Sequence, residues 1–215
     1  LCSLLTVTDG MNCPLCQHPG NTFCGDAYFV CPGCSGIFKN ERDYLSPERE
    51  ADRYREHRND VYDPRYRKFV SPVTDHILEH FSTEHRGLDF GSGTAPVISQ
   101  VLREQDYFIR SYDPFFANNP ECLRETYDYI ACCEVMEHFH DPDKEFALLH
   151  RLLKPGGTLL CMTHLYDESI PFKNWYYRND STHVFIYTAK TIDYLANRFY
   201  FREVLIRDRL ILFKK

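Results

Sequence analysis

The 215-residue chain has no run of 18 apolar residues, the length that a membrane-crossing helix needs, so no membrane span is expected. It has no excess of basic charge: 25 Lys and Arg stand against 31 Asp and Glu, a net charge of −6, and no overall field favours long nucleic acid. It has neither internal repeats nor low-complexity segments, which argues against solenoids and disordered tails. Residues 1–8 carry neither the basic flank nor the cleavage pattern of a secretory signal, and Met11 is a candidate start with residues 1–10 as an upstream extension. These absences lead to the expectation of a soluble, cytoplasmic protein. At about 150 residues per domain, the length allows one full domain and a small appendage.

Cysteine is abundant, with 10 in all, and its positions carry the information. Cys122, Cys132, Cys133 and Cys161 sit in or near apolar runs, where a free thiol behaves as a small hydrophobe. Residues 11–40 are rich in Cys, Gly and Pro with few large aliphatics, too little for a core of their own. Within them, Cys13-Pro-Leu-Cys16 and Cys31-Pro-Gly-Cys34 lie fourteen residues apart. Two such pairs supply four thiolates at tetrahedral spacing, so a structural Zn²⁺ is expected to replace the missing core, with no open position for chemistry. A redox use of the pairs is disfavoured, because two pairs together make a cage.

Residues 41–85 read as a helical connector. Ser46-Pro47 with early acids starts a polar helix running to about Asn59, and Ser71-Pro72 starts another that ends near Phe81. Strands and helices alternate over residues 86–215: strands at 87–90, 107–112, 127–133 and 158–163, helices at 95–104, 142–153 and 188–198, then β-rich runs at 200–206 and 210–213. The expected fold is α/β, a doubly wound and mostly parallel sheet with a C-terminal antiparallel hairpin, plus the small N-terminal zinc module.

Leu88-Asp89-Phe90-Gly91-Ser92-Gly93 places two glycines between a strand and a helix, where backbone can approach a ligand closely. Asp113, at the tip of the next strand, can accept hydrogen bonds from both hydroxyls of a ribose. The third glycine of a dinucleotide fingerprint is absent, since Ala95-Pro96 follows.

With Tyr112-Asp113, Tyr127-Asp128 through Glu134-Val135, and Lys154-Pro155-Gly156-Gly157-Thr158-Leu159, these motifs cover most of residues 86–215, and the chain resembles the class I S-adenosylmethionine-dependent methyltransferases. The resemblance implies a Rossmann-like sheet and S-adenosylmethionine as donor. It also implies Asp89, Gly91, Ser92 and Gly93 around the donor's methionine part, Asp113 on its ribose and Pro114 beside it. One departure is clear. Only fourteen residues separate Asp113 from Asp128, too few for the family's usual helix and third strand with its adenine-contacting acid, so adenine contacts fall to Pro114, Phe115 or the connector.

After the fourth strand comes Glu134-Val135-Met136-Glu137-His138. As one helical turn it would put Glu134, Glu137 and His138 on one face, where two carboxylates are best tolerated around a cation. The pattern is similar to ubiquinone-pathway O-methyltransferases and to small-RNA 3′-terminal 2′-O-methyltransferases. In the latter, this motif and a later histidine hold a divalent metal on the substrate hydroxyls. That resemblance makes His183 the fourth ligand, with His164 in reserve, around Mg²⁺, Mn²⁺, Fe²⁺ or Zn²⁺. Without metal, His138 or His183 serves as base. Trp175-Tyr176-Tyr177 reads equally as an acceptor lid or as core. The leading expectation is O-methylation of a small-molecule or terminal hydroxyl. Its rivals are a ribosomal or transfer RNA methyltransferase that touches RNA through the zinc module, and a non-catalytic zinc-mediated binding protein.

Overall fold

A computed structural model describes residues 11–25, 27–56 and 59–215; the expected extension over residues 1–10 lies outside the described residues. Three short strands, β1 (Asn21–Phe23), β2 (Tyr28–Val30) and β3 (Ile37–Lys39), form an antiparallel ribbon beside the four cysteines.

Helix α1 (Pro47–Glu56) has Pro47 in its first turn, with acids there and Arg53 and Arg55 in the last turn, as the helix dipole favours. Helix α2 (Pro64–His80) starts eight residues before the expected Pro72. Asp63-Pro64 offers the same cap chemistry as Ser71-Pro72: the Asp63 carboxylate accepts the Arg65 N–H, and Pro72 is left inside the helix. Losing one backbone bond there is tolerated because Val70, Val73 and Ile77 are buried on either side of it.

The main sheet contains β4 (Arg86–Phe90), β5 (Phe108–Tyr112), β6 (Tyr127–Cys133), β7 (Leu153–Met162), β9 (Glu203–Arg207) and β10 (Leu210–Lys214) in the order β5-β4-β6-β7-β10-β9. Strands β5, β4, β6 and β7 are parallel; β10 runs antiparallel to β7, and β9 to β10. Alternation along the strands feeds two cores. Ile130, Cys132, Leu159, Cys161, Ile211 and Phe213 face α4 (Pro142–Leu152) and α5 (Ala189–Arg198). Tyr129, Ala131, Leu160, Met162, Leu210 and Leu212 face α2 and α3 (Val97–Arg103). Residues 114–126 hold only a short 3₁₀ turn, Pro120–Arg124, so β5 is the sheet's edge, as the short spacing from Asp113 to Asp128 required.

Among the described residues the cysteine segment has no separate core. Cys13, Leu15, Phe29 and Phe38 join the same apolar cluster as Phe146 and Phe185, and β3 pairs with β8 (Phe185–Ile186), a strand from the far end of the chain. A segment with too few aliphatics to fold alone borrows the main sheet's, so residue 40 does not bound the packing unit.

Candidate active site

Cys13, Cys16, Cys31 and Cys34 each offer a sulfur within 4.8 Å of the others. Cys13 Sγ lies 3.6 Å from Cys34 Sγ and Cys16 Sγ 3.2 Å from Cys31 Sγ, near the edge of about 3.8 Å that Zn–S bonds of about 2.3 Å imply. The two pairs are built alike. Gln17 N–H donates to the Cys13 carbonyl and Ser35 N–H to that of Cys31, both at 2.9 Å, and both donors have positive φ (63° and 61°). Cys13 N–H and Cys31 N–H reach five residues ahead, to the carbonyls of His18 and Gly36. Hydrogen bonding with Cys13 pushes the Cys31 thiol well below its ordinary range and Cys34 well above it, a set that a dication would turn into four thiolates.

A cleft of about 940 Å³ opens at the carboxyl edge of the main sheet. Gly91, Ser92, Gly93, Asp113 and Pro114 line one side of it. Gly91 and Gly93 have φ of 75° and 64°, and a Cβ on Gly91 would strike Val135 at 2.5 Å, so the loop's path depends on glycine there. The Ser92 Oγ is buried with no partner among the described residues, which suits a ligand's polar group. Asp113 is 6% exposed, and its carboxylate accepts Gly93 N–H at 2.9 Å, Phe115 N–H at 2.8 Å and Phe116 N–H at 3.0 Å. The residue expected on ribose therefore also pins the glycine loop to the strand tip. Asp89 does not line the cleft. Behind the loop it accepts the Ser99 N–H and hydroxyl, and burial raises its carboxyl to about 6. Pro114, Phe115 and Phe116 line the expected adenine side, and Tyr54 of α1 packs against both phenylalanines.

His138 and His183 also line the cleft, and with Glu137, which is buried and outside the lining, each offers a ligand atom within 4.8 Å of the others. A carbonyl can only accept, so His138 Nδ1, 3.0 Å from the Thr182 carbonyl, and His183 Nδ1, 2.7 Å from that of Tyr177, carry protons. In the neutral rings, Nε2 is then the basic atom. Burial lowers His183, and neighbouring His138 adds to this, which favours the neutral ring. Glu137 is 0% exposed and accepts the Tyr177 hydroxyl at 2.5 Å and the Thr163 hydroxyl at 3.1 Å; burial raises its carboxyl.

Glu134 departs from the expected shared face. It has φ of 53°, ahead of a 3₁₀ turn at Met136–His138 rather than within an α-turn, and its side chain pairs with Arg209. His164 packs against Trp175 and Tyr177 instead of joining the group. The aromatic triplet divides its roles: Trp175 packs with Tyr28 and Ile37, Tyr176 is 63% exposed at the cleft, and Tyr177 is buried on Glu137. Sequence reasoning missed Thr163, Arg209 and the pairing of His140 with Glu50 of α1 (3.0 Å) at the cleft wall. Arg209 lies in the charged joint between the two C-terminal β-rich runs, where nothing in the sequence marks it for the cleft, and no local pattern marks the other two.

A glycine loop after the first parallel strand, an acid at the tip of its neighbour and a cleft at the strands' carboxyl ends define a doubly wound, nucleotide-type ligand fold. Residues 15–204 match the methyltransferase domain family, and the chain belongs to it. The chain is similar to the ubiquinone biosynthesis O-methyltransferase of Saccharophagus degradans, 31% identical over 81 residues, 36% of this chain and 33% of that one. It thus spans about a third of that curated relative's length. Among solved structures, Burkholderia thailandensis 1,6-didemethyltoxoflavin-N1-methyltransferase, with bound 1,6-didemethyltoxoflavin and S-adenosylhomocysteine, is 13% identical with a TM-score of 0.56, over 90% of this chain and 98% of that one. A SAM-dependent methyltransferase from Archaeoglobus fulgidus is 16% identical with a TM-score of 0.54, over 69% and 94%. At these identities the likeness shows the fold.

Proposed function

We propose that the protein is an S-adenosylmethionine-dependent O-methyltransferase acting on a small-molecule or terminal hydroxyl, with a structural zinc at Cys13, Cys16, Cys31 and Cys34. The single observation that carries the reading is the cleft itself: the glycine loop and Asp113 line one side, and two imidazoles held with Nδ1 protonated line the other. When bound, S-adenosylmethionine supplies a methyl already activated on a sulfonium. The chain's part is to align an acceptor oxygen in line with that methyl and to remove its proton. Gly91 and Gly93 let backbone approach the donor, and Asp113 orders the loop. His183 Nε2 accepts the hydroxyl proton as the oxygen–carbon bond forms and the sulfur–carbon bond breaks, and His138 packs against it at 4.8 Å between ring centroids.

A second, metal-assisted reading rests on the convergence of Glu137, His138 and His183. Both histidines have the carbonyl-anchored Nδ1 usual for metal ligands, and the Glu137 carboxylate keeps acceptor capacity beyond its two hydrogen bonds. A divalent ion there would lower the acceptor's pKa and orient it. Glu134 belongs to neither version as a ligand, since Arg209 holds it. The cleft's charge among the described residues does not favour RNA: its lining there has the carboxylates Glu50, Asp113, Glu134, Asp141, Glu145 and Asp180 against the guanidiniums Arg53 and Arg209.

Calorimetry with S-adenosylhomocysteine, followed by isotope-labelled methyl transfer to a panel of hydroxylated small molecules with and without chelator, tests these readings. No binding of S-adenosylhomocysteine would overturn both. Transfer that survives thorough chelation would leave the base mechanism alone.

A further inference from the structure

Three parts of the molecule converge on the short loop that carries His183. From α1, Arg53 donates to the Asp180 carboxylate at 2.9 Å, while Asp180 caps Thr182 through N–H and hydroxyl. From the turn after β6, the Glu137 carbonyl accepts the Val184 N–H at 2.9 Å. The third part is the cysteine module, and its grip is the most extensive. Strand β3 pairs with β8, Phe38 opposite Phe185 and Ile37 opposite Ile186. Gly36, two residues after Cys34, seats the Phe185 ring so closely that a Cβ would meet it at 2.3 Å. Tyr28 donates its hydroxyl to the Arg178 carbonyl at 3.1 Å.

Lys39 holds the loop on both sides of the histidine. Its backbone N–H donates to the Val184 carbonyl at 2.8 Å, and its ammonium donates to the Ser181 carbonyl at 2.9 Å. The first lies one residue after His183 and the second two residues before it. Burial disfavours the half-buried ammonium, the nearby Asp43 and Asp180 carboxylates offset part of that cost, and its hydrogen bond goes to the Ser181 carbonyl.

We propose that Lys39 is a positioning residue for His183, and that the cysteine module forms the outer support of the acceptor site by adding its sheet to β8, the strand that follows the histidine's loop. The inference rests on the reading of His183 as base or ligand. Lys39 touches no reacting atom; it acts by holding the loop so that the His183 Nδ1–H stays on the Tyr177 carbonyl and Nε2 stays available at the cleft.

The test compares Lys39→Met, which keeps the apolar stem and the backbone bond, with Lys39→Arg, which restores a charged donor. Zinc content and S-adenosylhomocysteine affinity are expected to stay within about twofold of the unaltered protein in both. At a pH where the ring is neutral, nitrogen NMR of the unaltered protein should show His183 protonated at Nδ1. Lys39→Met should relax it towards a mixture of tautomers and speed amide exchange over residues 181–187 about tenfold, the size of one lost charged hydrogen bond. Lys39→Arg should recover both signals. An unchanged tautomer and unchanged exchange in Lys39→Met would overturn the anchoring. A tautomer that follows Lys39 while His183→Ala methylates at full rate would instead overturn the assignment of His183, and with it the catalytic meaning of the anchor.

Discussion

The two sides of the cleft are assembled in different ways. The proposed donor side comes from one β–loop–α unit and the adjoining strand tip: Gly91, Ser92 and Gly93 are consecutive, and Asp113 reaches Gly93 from twenty residues on. The proposed acceptor side draws on Glu137 from the turn after β6, Thr163 just past β7, Tyr177 and His183 from the loop before β8, and Lys39 from the cysteine module. A side built locally tolerates distant damage; one assembled from four regions depends on every packing contact between them. Losses on the acceptor side should therefore spread, and losses on the donor side should stay local.

The harshest way to break this contrast is to remove the cage. Structural zinc is worth about 10–16 kcal/mol in small zinc peptides, and the cysteine segment shares the cluster that covers one sheet face. Cys34→Ser should lose the metal and lower Tm by more than about 10 °C, given roughly 2–4 °C per kcal/mol at this chain length. Calorimetry with metal analysis checks this, and a zinc-free protein with unchanged Tm would show that the four sulfurs only pack.

Next in size is Asp113→Ala. It removes a carboxylate that accepts three backbone N–H groups and faces the expected ribose, with charged hydrogen bonds worth about 1.5–3 kcal/mol each. S-adenosylhomocysteine should bind about a hundredfold more weakly by calorimetry, while the exchange protection of residues 181–187 stays unchanged. Spread of the damage to that loop would break the proposed division between the two sides.

Glu137→Gln should do the converse. Its amide nitrogen cannot accept from Thr163 or Tyr177, a cost of about 1–3 kcal/mol in stability. Donor affinity should be retained while methyl transfer falls, as read by calorimetry and label incorporation on the same sample. Equal loss of both would mean that Glu137 supports the whole sheet edge.

The smallest effect concerns Asp128, which ties β6 to its neighbours away from the cleft. Burial alone would raise its carboxyl, but the Arg86 N–H at 2.8 Å and the Lys154 ammonium at 2.7 Å outweigh this and hold it below the usual carboxylate range. A depressed folded pKa adds stability above the unfolded value of about 3.9, and that stability is lost as pH falls through the folded value. Asp128→Asn should flatten the acid limb of a denaturation series by no more than about 1 kcal/mol, as expected of a partly exposed pair. Both sides of the cleft should respond alike to it.

Legibility in the sequence followed the same division. The alternation that sends Ile130 and Cys132 to one core and Tyr129 and Ala131 to the other is a property of consecutive residues, as is the spacing of the cysteine pairs. The start of α2 was misplaced because Asp63-Pro64 and Ser71-Pro72 carry equivalent cap signals, and only packing selects between them. Glu134 was misplaced for a related reason: one residue in the left-handed region turns the chain before His138, and a helical count cannot foresee it.

By itself the sequence determined the features that short-range geometry dictates: strand and helix periods, two cysteine knuckles, a glycine loop and an acid at the next strand tip. Tertiary structure alone decided that Arg209 takes Glu134, that Tyr177 and Thr163 take Glu137, and that Lys39 reaches around His183. Those contacts join residues 26 to 142 positions apart. Their existence depends on the order of strands in the sheet and the register of β3 against β8, which no local propensity encodes.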